Sequence, residues 1–236
     1  MLPVENKLYR GFTEKIAWIA DNVRPDLSYS ALEMAKKCSD TTLSDLKKIN
    51  HILKKVREKP CKVVYKSIVE DLEDLEIVGI GDASYKWDDK SVGGNVILLS
   101  NKKTDDKLPL YWKSKQIVRT VHASKDAETL NIAKLVDDSV SMARQFEILL
   151  YGKYQKKIPV KLYTDSEPTL ESVASTKPIK TKRLRNQVQE LKEVLLNGEV
   201  ESFSWLPSKS MIADMLMKEM KMPESVLNLM TKNKLE

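Results

Sequence analysis

Apolar residues recur at helical spacing through the first 58 residues of the chain. In the first predicted helix these residues are Leu8, Phe12, Ile16 and Ile19. The sequence Arg24-Pro25-Asp26 interrupts the pattern, and a second helix is predicted to begin near Asp26, a residue type that often caps helices. A third helix is predicted after Thr42, with a lysine-rich face opposite an apolar face. The apolar face consists of Leu43, Leu46, Ile49, Ile52, Leu53 and Val56. The amino-terminal part of the chain is therefore predicted to be helical.

The pattern changes to strands beyond an acidic stretch at 70–76, so we place a domain boundary near residue 72. Five strands are predicted, at 76–85, 93–100, 108–116, 160–164 and 200–206. Helices are predicted over 124–150, on either side of the basic segment 177–185, and from about Ser210. Three strands in hairpin order, followed by alternating helices and strands, indicate an α/β fold with a mixed five-stranded sheet and helices on both faces.

Composition narrows the class of protein. Hydrophobic residues make up 42% and charged residues 31%, and no apolar run is long enough to cross a bilayer, so no membrane partner is expected. The amino terminus lacks the features of a secretory signal, and only Cys38 and Cys61 are present, which favours an intracellular, reducing compartment. The net charge of +6 suits a polyanionic partner but is also common in proteins that bind no nucleic acid.

Four acidic residues stand where one α/β fold could bring them together. Asp82 lies in the first strand, Glu128 in the first turns of the long helix, Asp165 after the fourth strand and Asp214 near the last helix. Clustered carboxylates repel one another unless cations are bound, and their hard oxygens suit Mg²⁺. Taken singly, Asp165 is equally typical of a helix cap and Asp214 of a first-turn acid. The four together favour a metal centre.

Four short motifs carry a resemblance to a known family. The sequence W-K-S-K-Q at 112–116, followed by S-K-D-A-E at 124–128, resembles the signature of the ribonuclease H of copia-type retrotransposons. The segment 207–216, P-S-K-S-M-I-A-D-M-L, is similar to that family's closing motif. G-D-A at 81–83 resembles its opening motif, and D-D-K-S at 88–91 resembles the turn that follows. The resemblance extends over residues 77–220.

The amino-terminal region adds a weaker resemblance to the same elements. Y-R-G at 9–11 and R-P-D-L at 24–27 resemble the helical tail that joins reverse transcriptase to ribonuclease H. We therefore expect a helical thumb or connection region over 1–72, a ribonuclease H-like domain over 73–220 and a carboxyl-terminal tail over 221–236. The polymerase's aromatic-x-Asp-Asp turn has no counterpart outside Trp87-Asp88-Asp89, which belongs to the nuclease hairpin, so DNA synthesis by this chain alone is not expected.

The resemblance implies a metal-dependent endonuclease that hydrolyses the RNA strand of RNA-DNA hybrids. Its catalytic residues and ligands for two Mg²⁺ ions, with Mn²⁺ as a substitute, would be Asp82, Glu128, Asp165 and Asp214. Such ions lie about 3.5–4 Å apart and act together on a phosphodiester. The implied partners are the hybrid and, if the chain is part of a polyprotein, the remainder of the reverse transcriptase. The implied location is the cytoplasm, within a virus-like particle, or the nucleus.

Candidate contacts to the hybrid are basic residues near these motifs: Lys113, Lys115, Lys180, Lys182, Arg183 and Arg185. A solvated surface explains the basic segment equally well, and Trp112 is expected to pack inside the protein rather than stack on a base. The chain departs from the family at Ser166, Asn131 and Asp126, and its basic segment has no histidine. Three other hypotheses remain: a domesticated, non-catalytic nucleic-acid-binding relative, another nuclease or integrase of the same fold, and a structural scaffold with no active site.

Overall fold

The amino-terminal region is helical, as predicted, in a computed structural model that describes residues 3–68, 71–87, 90–152, 157–177 and 181–235. Its helices are α1 (Pro3–Asn22), α2 (Ser28–Lys36) and α3 (Leu43–Glu58). A capping box between Thr42 and Asp45 begins α3. The expectation that Asp26 caps α2 is wrong, because Leu27 occupies the cap position and Asp26 lies in a 3₁₀ turn. The carboxylate of Asp26 instead forms a buried ion pair with Arg24, 2.8 Å away.

Five strands form one mixed sheet. They are β1 (Leu75–Ser84), β2 (Val92–Asn101), β3 (Lys107–Gln116), β4 (Val160–Thr164) and β5 (Ser202–Trp205). The order across the sheet is β3-β2-β1-β4-β5, with β1, β2 and β3 antiparallel and β4 and β5 parallel to β1. This strand order confirms the predicted ribonuclease H-like fold. It also places the carboxyl ends of β1, β4 and β5 at the same edge.

Three helices cover the first face of the sheet: α4 (Ser124–Tyr151), α5 (Glu167–Ala174) and α6 (Arg185–Leu196). The helix α4 packs over β1 and β2, where Ile132 and Leu135 are fully buried in the main core. It ends at Gly152, which has the left-handed conformation that glycine adopts readily. Because α4 also carries Glu128, its packing fixes where that carboxylate meets the sheet.

The second face is covered by short helices near the carboxyl terminus. Two 3₁₀ helices, Ser208–Ser210 and Ile212–Leu216, precede α7 (Glu224–Lys232). The prediction of one helix from about Ser210 is wrong, because nearly every side chain over 211–217 is buried and a one-sided amphipathic helix could not bury them all. The segment 221–236, expected to be a tail, includes α7, whose Val226, Leu229 and Met230 lie in this core.

The helical region packs against the sheet through β3. The indole N–H of Trp112 donates to the carbonyl of Ala20 at 2.7 Å, and Lys113 forms an ion pair with Asp21. The expectation that Trp112 is packed is confirmed, since it is buried. The Pro25–Leu27 turn and α2 also contact the Ile212–Leu216 helix, so the helical region supports the element that carries Asp214. Over the described residues, no helix has the length and apolar character needed to cross a membrane.

Candidate active site

Asp82 stands near the carboxyl end of β1, with less than about a third of its surface exposed. Burial raises the pKa of Asp82 to about 7, and the negative charges of Asp165, Asp214 and Glu128 add to this rise. The Ala83 backbone N–H donates to Asp82 Oδ1 at 2.6 Å, and this hydrogen bond lowers the pKa of Asp82. The other three carboxylates singled out in the sequence are therefore near enough to Asp82 to affect its ionisation.

Glu128 joins the first turns of α4 to the loop after β4. Its Oε1 accepts a hydrogen bond from the Ser124 hydroxyl at 2.6 Å, and its Oε2 accepts one from the Ser166 hydroxyl. Asp126, two residues earlier, accepts from the backbone N–H of His122 at 3.1 Å and pairs with Arg183. Glu128 and not Asp126 therefore reaches the loop that carries Asp165.

Asp165 directly follows β4, which runs parallel to β1, so both strands deliver a carboxylate to the same edge of the sheet. Its Oδ2 accepts a hydrogen bond from the Ser208 hydroxyl at 2.9 Å. The alternative that Asp165 caps the next helix is wrong, because Ser166 is the N-cap of α5 and its hydroxyl accepts from the Thr169 N–H. Asp165 is thus left for another role.

Asp214 lies in the five-residue Ile212–Leu216 helix and forms an ion pair with Lys218 at 2.7 Å. This helix approaches β2 closely at Gly94, where an added Cβ would lie 2.8 Å from the backbone oxygen of Ala213. Gly94 is itself the β1–β2 partner of Asp82. A glycine at this position therefore allows Asp214 to approach the strand pair that carries Asp82.

The donor set suits a divalent cation in its chemistry. Within the described ranges, no three histidine, cysteine or acidic side chains are arranged to hold a single metal ion. Three of the four carboxylates are instead engaged by serine hydroxyls or by Lys218. Burial raises the pKa of Asp82 most, and a bound cation would offset the further rise caused by the neighbouring negative charges. Carboxylate oxygens suit a hard divalent cation, and ligation here would require them to exchange their present partners.

The basic residues predicted to contact nucleic acid differ in their surroundings. Lys113 and Arg183 are held by Asp21 and Asp126, pairings that the sequence did not indicate. Lys115, Lys182 and Arg185 are exposed. Lys180 and the Asp88-Asp89 part of the hairpin motif lie outside the described residues.

Sequence reasoning missed most of the groups that surround the carboxylates. Ser124 and Lys218 each lie four residues from the acid that they contact, a helical spacing that could have indicated them. Ser208 contacts a residue 43 positions away, and no local pattern indicates such a pairing. Asn131, noted only as a departure from the family, lies beneath Asp82 and donates to its backbone oxygen.

No family model and no curated protein matches this chain. Among solved structures, it is similar to LC11-RNase H1 isolated from compost, with 17% identity over 60% of this chain and 91% of that one and a TM-score of 0.44. LC11-RNase H1 in complex with an RNA/DNA hybrid is 16% identical over 64% of this chain and 99% of its own length, with a TM-score of 0.43. The PFV RNase H domain is 15% identical over 61% of this chain and 92% of its own length, with a TM-score of 0.37. The fold assignment itself depends on the strand order described above.

Proposed function

We propose that this protein is a metal-dependent endonuclease that hydrolyses the RNA strand of RNA-DNA hybrids, as the nuclease part of a retrotransposon reverse transcriptase. The observation that carries the proposal is the raised pKa of Asp82, which burial raises most and to which the negative charges of Asp165, Asp214 and Glu128 contribute. These are the four acids that the copia-type motifs designate. A cluster of this kind is costly to a fold that has no use for bound cations.

The four carboxylates would hold two Mg²⁺ ions, with Mn²⁺ as a substitute. When bound, such a pair supplies an activated water on one side of a phosphodiester and stabilises the leaving oxygen on the other. Asp82 must be ionised to act as a ligand, so its raised pKa makes metal binding dependent on pH near neutrality. The hydroxyls of Ser124, Ser166 and Ser208 keep Glu128 and Asp165 oriented until they bind metal.

We assign hybrid binding to the exposed residues among the predicted basic contacts. Exposed Lys115, Lys182 and Arg185 suit contacts with phosphates, which supply affinity without reading sequence. The choice of a hybrid over duplex DNA then depends on groove shape and on 2′-hydroxyl groups. The remainder of a reverse transcriptase would be the protein partner, in the cytoplasm or the nucleus.

The test is cleavage of labelled hybrid, duplex DNA and duplex RNA in parallel, with Mg²⁺ and with EDTA. Wild type should cut only the RNA of the hybrid and only with metal, and Glu128→Gln should reduce the rate at least 100-fold. Asp138→Asn is the matched control, because Asp138 lies on the same helix but pairs with Lys134 at 2.6 Å. Equal cleavage of duplex DNA would indicate another nuclease of this fold. Hybrid binding without any cleavage would indicate the domesticated alternative.

A further inference from the structure

Asn131 is a buried polar residue on α4, one turn after Glu128. Its side-chain N–H groups face three oxygens: the backbone oxygen of Asp82 at 2.9 Å, Oδ1 of Asn95 at 2.8 Å and the backbone oxygen of Gly94 at 3.3 Å. Three acceptors around one nitrogen fix which end of the amide is the donor. One side chain therefore joins the helix that carries Glu128 to both β1 and β2 at the level of Asp82.

Glycines on the two strands make room for this bridge. A Cβ at Gly93 would overlap Oδ1 of Asn131, and a Cβ at Gly81 would lie 2.9 Å from Oδ1 of Asn95. Gly81 and Asn95 face each other in the β1–β2 register. The two carboxamides thus occupy a space between helix and sheet that larger neighbours would close.

Another buried polar residue on α4 forms no such bridge to the sheet. Ser139 lies two turns further along, is fully buried and packs against Gly79, yet its hydroxyl has no hydrogen-bond partner among the residues that the structure describes. Helix and sheet therefore pack against a glycine at Ser139 without a hydrogen bond across the interface. At Asn131 the interface includes hydrogen bonds to both strands, and one of them ends on the backbone oxygen of Asp82.

We propose that Asn131 is a positioning residue for the metal centre, holding α4 against β1 and β2 so that Glu128 and Asp82 keep the separation that cation binding needs. This inference rests on the proposed function. The hydrogen bonds from Asn131 to the backbone oxygens of Asp82 and Gly94 fix the helix against both strands at this level. Residues that orient metal ligands in this way typically change metal affinity or activity by about 10–100-fold when removed.

The first test measures Mn²⁺ binding by titration calorimetry on the full chain, for wild type and Asn131→Ala. We expect about 10-fold or greater weakening of Mn²⁺ binding and a comparable fall in kcat. The KM for the hybrid, and hybrid binding measured by anisotropy in EDTA, should stay within about twofold, because phosphate contacts lie elsewhere. Ser139→Ala is the matched control, since it truncates a buried polar side chain over a glycine on the same helix and should leave Mn²⁺ binding unchanged.

A second variant perturbs the same bridge from the other side. Gly93→Ala directs a methyl group into Oδ1 of Asn131 and should weaken Mn²⁺ binding in the wild-type background. In the Asn131→Ala background the two nearest atoms, Oδ1 and Cγ, are gone and the methyl group meets only the Cβ of residue 131 at 3.2 Å, so Gly93→Ala should add less further loss than in the wild-type background. This non-additivity keeps the test informative if either single variant is also less stable, and urea unfolding of each variant measures that stability.

The outcomes separate this inference from the proposed function. If wild type binds Mn²⁺ but cuts no hybrid, while Asn131→Ala binds Mn²⁺ more weakly, the positioning role stands and the nuclease assignment fails. If wild type cuts hybrid and Asn131→Ala binds Mn²⁺ and cuts equally well, the positioning role is overturned and the nuclease assignment stands. A wild type that binds no Mn²⁺ overturns both.

Discussion

Replacing Asp82 by Asn should make the metal-free protein more stable. The folded protein raises the pKa of Asp82 from its ordinary value of 3.8 to about 7, so ionising this group at neutral pH opposes folding. One unit of pKa corresponds to about 1.4 kcal/mol, so a rise of about three units gives about 4 kcal/mol as an upper bound. Solvent access to this partly exposed carboxyl reduces the expected gain to about 1–3 kcal/mol.

The pH dependence follows from the sign of the shift. A carboxyl with a raised pKa stays protonated longer in the folded than in the unfolded chain, so its destabilisation begins near pH 4, grows as pH rises and is complete above pH 7. The gain from Asp82→Asn should therefore be largest at pH 8 and fall to about a third of that value at pH 5. Asn can still accept the Ala83 N–H bond, so the substitution removes charge without removing this contact.

The assay is urea unfolding in EDTA at pH 8 and pH 5, monitored by circular dichroism. Asp138→Asn is the control for the loss of an acidic residue elsewhere in the domain. Adding Mg²⁺ at ten times its dissociation constant should stabilise wild type by about 1.4 kcal/mol and leave Asp82→Asn nearly unchanged. A gain that is absent at pH 8, or equal at both pH values, would refute the argument that burial and the neighbouring carboxylates destabilise the ionised form of Asp82.

Three further substitutions test the supports of the site. Arg24→Met should lower the free energy of unfolding by about 3–5 kcal/mol in urea titrations, because buried Asp26 loses its main partner. Gly94→Ala should cost about 1–3 kcal/mol by the same assay, because its Cβ meets the backbone of Ala213; calorimetry should also show weaker Mn²⁺ binding. Trp112→Phe removes the hydrogen bond to the helical region and should cost about 1–3 kcal/mol in urea titrations while leaving the cleavage rate unchanged.

The strands and the long helix could be predicted because their signals are local. The observed β4, Val160–Thr164, coincides with the prediction, and the observed α4 extends the predicted 124–150 segment by one residue. Alternating or periodic apolar residues, ended by glycine, determine such elements almost independently of their neighbours. The Ile212–Leu216 helix was missed because its shape depends on burial against the second face of the sheet, which is a tertiary effect.

The residues of the candidate site also differ in whether local sequence signals could predict them. The motifs indicated the four acids, but the internal partners of the basic residues are remote in sequence: Lys113 pairs with a residue 92 positions away and Arg183 with one 57 positions away. A lysine or arginine beside a motif looks available for phosphate contact until the fold brings an acid to it. Lys113 and Arg183 therefore have competing partners that only the three-dimensional structure reveals.

The groups around the carboxylates differ in whether a cation would compete with them. Lys218 and the serine hydroxyls contact carboxylate oxygens directly, so metal ligation and these contacts use the same atoms. Asn131 instead donates to the backbone oxygen of Asp82, which leaves both carboxylate oxygens free of it. A bridge of this kind can persist unchanged while the carboxylates exchange a hydroxyl or an ammonium group for a cation. The helix-to-strand geometry can therefore be set before metal binds, by bonds that metal binding does not break.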